Sequence, residues 1–264
     1  MSRRRGTYLD RILEFHRDRA SNDRRDLGEL TDQARSASSP RGFEARLRSD
    51  SSLSLAVISE VKRRSPSKGD LAADLDPDVL SRQYERGGAS CLSVLTDEPH
   101  FGGSAADLRA ARHATSLPVL RKDFTVGERD VLDARIMGAD CILLIAAALE
   151  TDELWHLSGL SRSLGMDVLV EIHDEVELAV AIEIDASMIG VNQRDLTTFE
   201  VDHERAVRMG SAIPPSLVRV AESGVRGPAD AGSLRRAGYD AVLVGETLVR
   251  ADDAASVIRS LRVD

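Results

Sequence analysis

The chain has 264 residues, 42% of them hydrophobic and 30% charged, with a formal net charge of -9. That size suits one large domain or two small ones, and the negative balance argues against nucleic acid as the main partner while leaving room for a local basic pocket holding an anionic metabolite. No membrane-spanning helix is expected either, because the longest unbroken apolar run, 141–149, is far too short to span a bilayer.

At the start, Met1-Ser2-Arg3-Arg4-Arg5-Gly6 has the basic character of a signal peptide, but no apolar stretch follows it. Tyr8, Leu9, Ile12 and Leu13 then fall on one helical face with Arg and Asp opposite. Residues 1–50 are therefore expected to form a helical extension over one end of the domain that follows, as a plug or as a lid. Cys91 and Cys141 each open an apolar strand without metal-ligand or redox spacing, and read as reduced core residues of a soluble cytoplasmic protein.

From residue 51 onward the chain alternates. Short apolar, β-branched runs occupy 55–61, 90–96, 118–122, 141–146, 168–172, 188–192, 218–221 and 241–245. Between them lie stretches of helical period at 79–87, 105–114, 130–137, 152–164 and 175–182, several ending in Gly, which terminates a helix in the left-handed region. Continuous apolar strands alternating with helices imply a parallel sheet covered on both faces with right-handed crossovers. A doubly wound open sheet would need a nucleotide-binding glycine turn after its first strand. Here that strand is followed by Lys62-Arg63-Arg64-Ser65-Pro66-Ser67. The expected fold is an α/β (β/α)8 TIM barrel over 51–264, and its eight strand ends then ring one mouth, where catalytic groups of this fold sit.

Several strand ends carry ionisable pairs. Glu60 and Lys62 alternate along the first strand and point to one side; alone, the pair reads equally as a rim salt bridge. Lys122-Asp123 offers a proton donor whose pKa burial, or a cation such as Lys62, would lower, with Asp123 alternatively capping the next helix. Glu171 ends a wholly apolar run, so it is either paired or functional. His173 lies two residues further on, nearer the rim, and is expected at the surface. Asn192 can bond a sugar hydroxyl and Arg194 can grip a carboxylate or phosphate. Gly224 and Gly245 follow the last two strands, where backbone N–H groups at helix starts cradle phosphate in this fold. No His or Cys cluster at a strand end suggests a metal.

Taken in order, these segments resemble indole-3-glycerol-phosphate synthase of tryptophan biosynthesis. They are Glu60 to Gly69, Ser93-Val94-Leu95-Thr96-Asp97, Phe101-Gly102-Gly103-Ser104, Pro118 to Phe124, Leu169-Val170-Glu171, Ile189 to Leu196, Ala221 to Val225 and Val242 to Glu246, with a weaker echo at Tyr8 to Leu13. The resemblance implies a carboxy-lyase that closes the indole ring of 1-(2-carboxyphenylamino)-1-deoxyribulose 5-phosphate, losing CO2 and water, with no cofactor and no metal. It assigns Lys122 as general acid for ring closure and Glu171 as general base for dehydration, with Lys62 sharing or taking over the acid role there. Glu60, Asn192, Glu222 and Ser223 match groups that hold the polar part of the substrate, Glu60, Asn192 and Ser223 being counted with the catalytic set. Lys62 and Arg194 match cations near the substrate's anionic groups. Ser65, Gly224, Gly245 and Glu246 complete the polar binding set, and Leu95, Phe101, Leu143, Leu196 and Val244 match apolar walls around the aromatic ring.

One segment departs from the family. After Phe124 an apolar pair and Asp-Pro-Tyr-Gln are usual, whereas this chain continues Thr125-Val126-Gly127-Glu128-Arg129-Asp130. Two alternatives compete with the synthase reading. Phosphoribosylanthranilate isomerase would place a Cys acid where this chain has Glu60 and Lys62, and a non-catalytic metabolite-binding barrel would lack at least one of Lys122, Glu171 and Lys62. The expected partner is a phosphorylated small molecule, with no nucleic acid and no membrane, and the chain is expected to be a monomer.

Overall fold

The computed structural model describes residues 7–66, 68–194 and 200–264. Its centre is a closed barrel of eight parallel strands, β1 (Ala56–Val61), β2 (Cys91–Leu95), β3 (Val119–Lys122), β4 (Cys141–Ile145), β5 (Asp167–Ile172), β6 (Met188–Asn192), β7 (Val218–Glu222) and β8 (Ala241–Val244), each beside its sequence neighbour, with β8 closing on β1. Each strand lies within one residue, at either end, of its apolar run in the sequence. Nearly every strand residue is buried, as a sheet covered on both faces requires.

Three helices precede the barrel, α1 (Tyr8–Asn22), α2 (Leu27–Ser36) and α3 (Phe43–Ser51). The crossover layer and its insertions follow as α4 (Pro77–Gly87), α5 (Glu98–Phe101), α6 (Ala105–Ala114), α7 (Glu128–Met137), α8 (Thr151–Ser163), α9 (Glu175–Glu183), α10 (His203–Ala212), α11 (Pro228–Arg236), α12 (Glu246–Val249) and α13 (Ala254–Leu261). Local chemistry sets many of their starts. Thr7 and Asp10 form a reciprocal capping box at α1, Asp26, Asp76, Ser104, Asp174, Asp202 and Asp253 each cap a first turn, and Pro77 opens α4. After β1 the loop forms a small antiparallel ribbon, Arg64–Ser65 with Gly69–Asp70.

The extension does not sit at one end only. In α3, Phe43 and Leu47 are fully buried against the barrel floor. Around them Glu44 N donates to Asp167 at the start of β5 (2.9 Å), and Arg48 donates to the Ser216 carbonyl ahead of β7 (3.1 Å). Asp140, just before β4, accepts from Arg41 N and Val119 N at 2.7 Å each and pairs with Arg112. The middle helix, α2, packs Leu30 and Ala34 on Leu132 of α7. At the opposite end, α1 lies over the mouth, where Tyr8, Leu9 and Ile12 border the cavity formed by the strand ends.

Candidate active site

Parallel strands place all their C-terminal ends on one rim, and alternation turns every second side chain inward. Thus Lys122 ends β3, Asn192 ends β6, Glu222 ends β7, and Glu60 and Glu171 lie one residue before the ends of β1 and β5. These five border a single cavity of about 750 Å3. Lys62, Ser65, Arg194, Ser223, Gly224, Gly245 and Glu246 border it from the loops, and Leu95, Phe101, Leu143 and Val244 form its apolar wall. Leu196 and Asp195 lie outside the described residues. Tyr8, Leu9 and Ile12 complete the wall from α1, signalled in the sequence by their shared helical face and the weak family echo at Tyr8 to Leu13.

The polar groups form one connected set. Lys122 Nζ is 3.3 Å from Glu171 Oε2 and 3.6 Å from Glu222 Oε2. Asn192 donates to Glu171 Oε1 at 3.1 Å, while its Oδ1 accepts from Ser223 Oγ at 2.9 Å and Arg194 N at 3.0 Å. Asn192 therefore orients Glu171 as well as facing the cavity. Lys62 pairs with Glu60 on the other side of the mouth.

Two glycines make this possible. Gly190 sits inside β6 opposite Glu171, and a Cβ there would run into Glu222 Oε1. A Cβ on Gly245 would strike the Glu60 carboxylate and reach 3.0 Å from Lys62 Nζ. An interior strand glycine signals close approach of another group, and the sequence reading gives Gly190 no role beyond its place in the Ile189 to Leu196 segment.

The electrostatics correct two expectations. Burial alone would lower the Lys122 pKa, but the carboxylates of Glu171, Glu222 and Glu60 outweigh it and raise it well above the ordinary lysine value. Lys62 cannot push it down, because Glu60 holds that cation. His173 is half-buried rather than on the open surface. It is buried enough to favour the neutral ring, yet Glu177 at 3.1 Å and Glu171 at 3.9 Å raise its pKa. Burial would raise Glu171, but Lys122, His173 and the Asn192 hydrogen bond hold it below the usual carboxylate range. Glu222 goes the other way. Burial first, then the Glu171 carboxylate, push it up to about 8 against the pull of Lys122. Two adjacent carboxyls with opposite shifts are the signature of a divided acid and base.

Asp123 is likewise not a helix cap. It is buried and held by Arg121 at 2.7 Å, while Gly127 stands at the N-terminus of α7. The Cys91 and Cys141 thiols are buried and pushed well up by it, which leaves them inert.

A closed parallel barrel with paired ammonium and carboxyl groups at its C-terminal mouth defines a (β/α)8 acid–base enzyme. The family model for indole-3-glycerol phosphate synthase matches residues 9–261, and the chain belongs to that family. An indole-3-glycerol phosphate synthase of Mycolicibacterium vanbaalenii is 48% identical over 257 residues, covering 97% of this chain and 93% of its own. That of Kineococcus radiotolerans is 54% identical over 205 residues, 78% of this chain and 75% of its own. Among solved structures, a thiamine phosphate pyrophosphorylase from Pyrococcus furiosus superposes with a TM-score of 0.59 at 15% identity, covering 80% of this chain and 95% of its own, a likeness of fold alone.

Proposed function

We propose that the chain converts 1-(2-carboxyphenylamino)-1-deoxyribulose 5-phosphate to indole-3-glycerol phosphate. The observation that carries the reading is the Lys122–Glu171–Asn192 set at the mouth of a family barrel. The ring carbon bearing the carboxyl group attacks the ketone carbon, and the electron pair of the C=O bond moves to oxygen. Lys122, kept protonated by its carboxylates, donates to that oxygen as charge develops. Loss of CO2 returns an electron pair to the ring. Removal of a proton by Glu171 and departure of water then complete the indole, with Lys62 or Lys122 protonating the leaving hydroxyl.

Glu222, holding its proton near neutrality, donates to a substrate hydroxyl. Backbone N–H groups near Gly224 and Gly245, with Lys62 and Arg194, receive the phosphate and carboxylate. Leu95, Phe101, Leu143 and Val244 enclose the ring. Leu196 is assigned to the same wall by resemblance alone.

Indole fluorescence from the purified chain with this substrate tests the reading. Turnover is expected with EDTA present and no cofactor added; activity that vanishes with EDTA and returns with a metal ion overturns it. Lys122→Ala should lower kcat by ~10²–10⁴-fold with little change in KM. Glu171→Gln should release CO2 in a single turnover before indole appears. Simultaneous release of both would remove Glu171 from the base role.

A further inference from the structure

At the cavity wall, which Asp97 borders, metal-ligating side chains from two distant parts of the chain converge. His16 of α1 is fully buried and directs Nε2 at Asp97 Oδ2, 3.4 Å away. His100 of α5 directs Nδ1 at the same oxygen from 2.9 Å. The ligand atoms of His16, Asp97 and His100 all lie within 4.8 Å of one another. Donors on one tetrahedral zinc at ~2.0–2.1 Å stand ~3.3 Å apart, so small movements would close the set around an ion.

The surroundings favour it further. Phe124 lies 5.3 Å from the His16 ring, and Phe15 meets both imidazoles edge-on at 5.4 Å, so aromatic contacts fix both rings while the half-exposed Phe15 leaves a path for water. Asp123 Oδ1, 4.0 Å from His16 Nε2, adds negative charge, though Arg121 already holds that carboxylate. His16 Nδ1 has no hydrogen-bond partner among the described residues. No internal bond at Nδ1 therefore dictates which ring nitrogen carries the proton, and with it on Nδ1 the Nε2 lone pair faces the cluster.

We propose that His16, Asp97 and His100 bind a divalent cation of the zinc type, with water in the fourth position, and that the ion clamps α1 onto the turn after β2. Such a clamp fixes Tyr8, Leu9 and Ile12 over the cavity and slows substrate passage. The ion is a brake and takes no part in the chemistry. Binding is independent of the synthase reading; only the effect on turnover rests on it.

The test uses the untagged full chain with Co2+ as spectroscopic probe. One equivalent should give the intense visible band of a four-coordinate site, displaced by Zn2+. The band should survive His156→Ala, a surface histidine beside Glu128. It should weaken in affinity by about 100-fold or more in His16→Ala and His100→Gln, since even outer partners of metal ligands are worth about 10–100-fold. A pale aqua-ion spectrum with the wild-type chain, or a band persisting in both variants, overturns the site. Should either variant fail to fold, anomalous scattering from zinc-soaked wild-type crystals decides: a peak among the three side chains supports the site, and a peak elsewhere or none overturns it. With the ion bound, turnover should fall and EDTA should restore it. Unchanged turnover with the site filled overturns the clamp.

Discussion

Glu222 is the side chain whose charge the barrel decides. Folded, it keeps its proton up to about 8, because burial and the neighbouring Glu171 carboxylate both disfavour a second negative charge there. Unfolded, it titrates near its ordinary 4.5. Between those values the native state binds more protons than the unfolded chain, so the stability this group contributes is full at the acid end and lost as pH rises through the folded value. Glu222→Gln has the shape of the protonated form and cannot ionise. Denaturant midpoints should therefore match the wild type at the acid end of the window and exceed it increasingly toward the alkaline end; parallel curves would show that Glu222 is ionised throughout. Gly190 guards the same group. With a Cβ directed at Glu222 Oε1, Gly190→Ala should cost about 1–3 kcal/mol in equilibrium unfolding, as overpacking of a tight core does.

At the scale of elements, each strand is a rod that delivers its last one or two side chains to the rim, and this is why so much could be read from the sequence. Eight apolar runs fixed the barrel to within a residue, since a buried parallel strand leaves a continuous pattern that turns interrupt. Ionisable groups ending such runs stood out for the same reason. What stayed hidden depended on groups arriving from other strands. The raised pKa of Lys122 needs Glu171, Glu222 and Glu60, all far away in sequence, and the His16–Asp97 contact joins residues 81 positions apart. The short helices α5 and α12 are too brief for a period to show. Gly245 illustrates the coupling between elements, because the turn after β8 presses on the β1 pair. Gly245→Ala should disturb both the expected phosphate N–H groups and Glu60–Lys62, raising KM and lowering kcat together, by about 10²-fold in kcat/KM for a displacement near 1 Å. A KM change alone in steady-state kinetics would mean the β1 pair tolerates the methyl group.

For the whole molecule, the first three helices divide their work between the two ends of the barrel. At the floor, α3 contributes Phe43 and Leu47 to the main core, and its hydrogen bonds reach the beginnings of β5 and β7. Over the mouth, α1 is tied to the rim by polar and edge contacts: His16 to Asp97, Arg17 to the Ala148 carbonyl at 2.9 Å and to Glu153 at 3.1 Å, and Arg19 to Asp130 at 3.2 Å. The exposed Arg17 and Arg19 pairs are each worth ~0–1 kcal/mol, whereas emptying a fully buried leucine site costs ~2–5 kcal/mol. The two ends should then respond differently to damage. Leu47→Ala should lower the unfolding free energy by ~2–5 kcal/mol and leave KM unchanged, because the lesion lies a full strand length from the cavity. Deleting the chain through Asn22 should leave a folded barrel with the same far-ultraviolet dichroism per barrel residue, yet raise KM, since Tyr8, Leu9 and Ile12 no longer cover the apolar wall. Paired urea titration and steady-state kinetics on the two variants separate lid from plug. A truncated chain that unfolds while Leu47→Ala stays stable would reverse the assignment, and make α1 the helix that holds the barrel together.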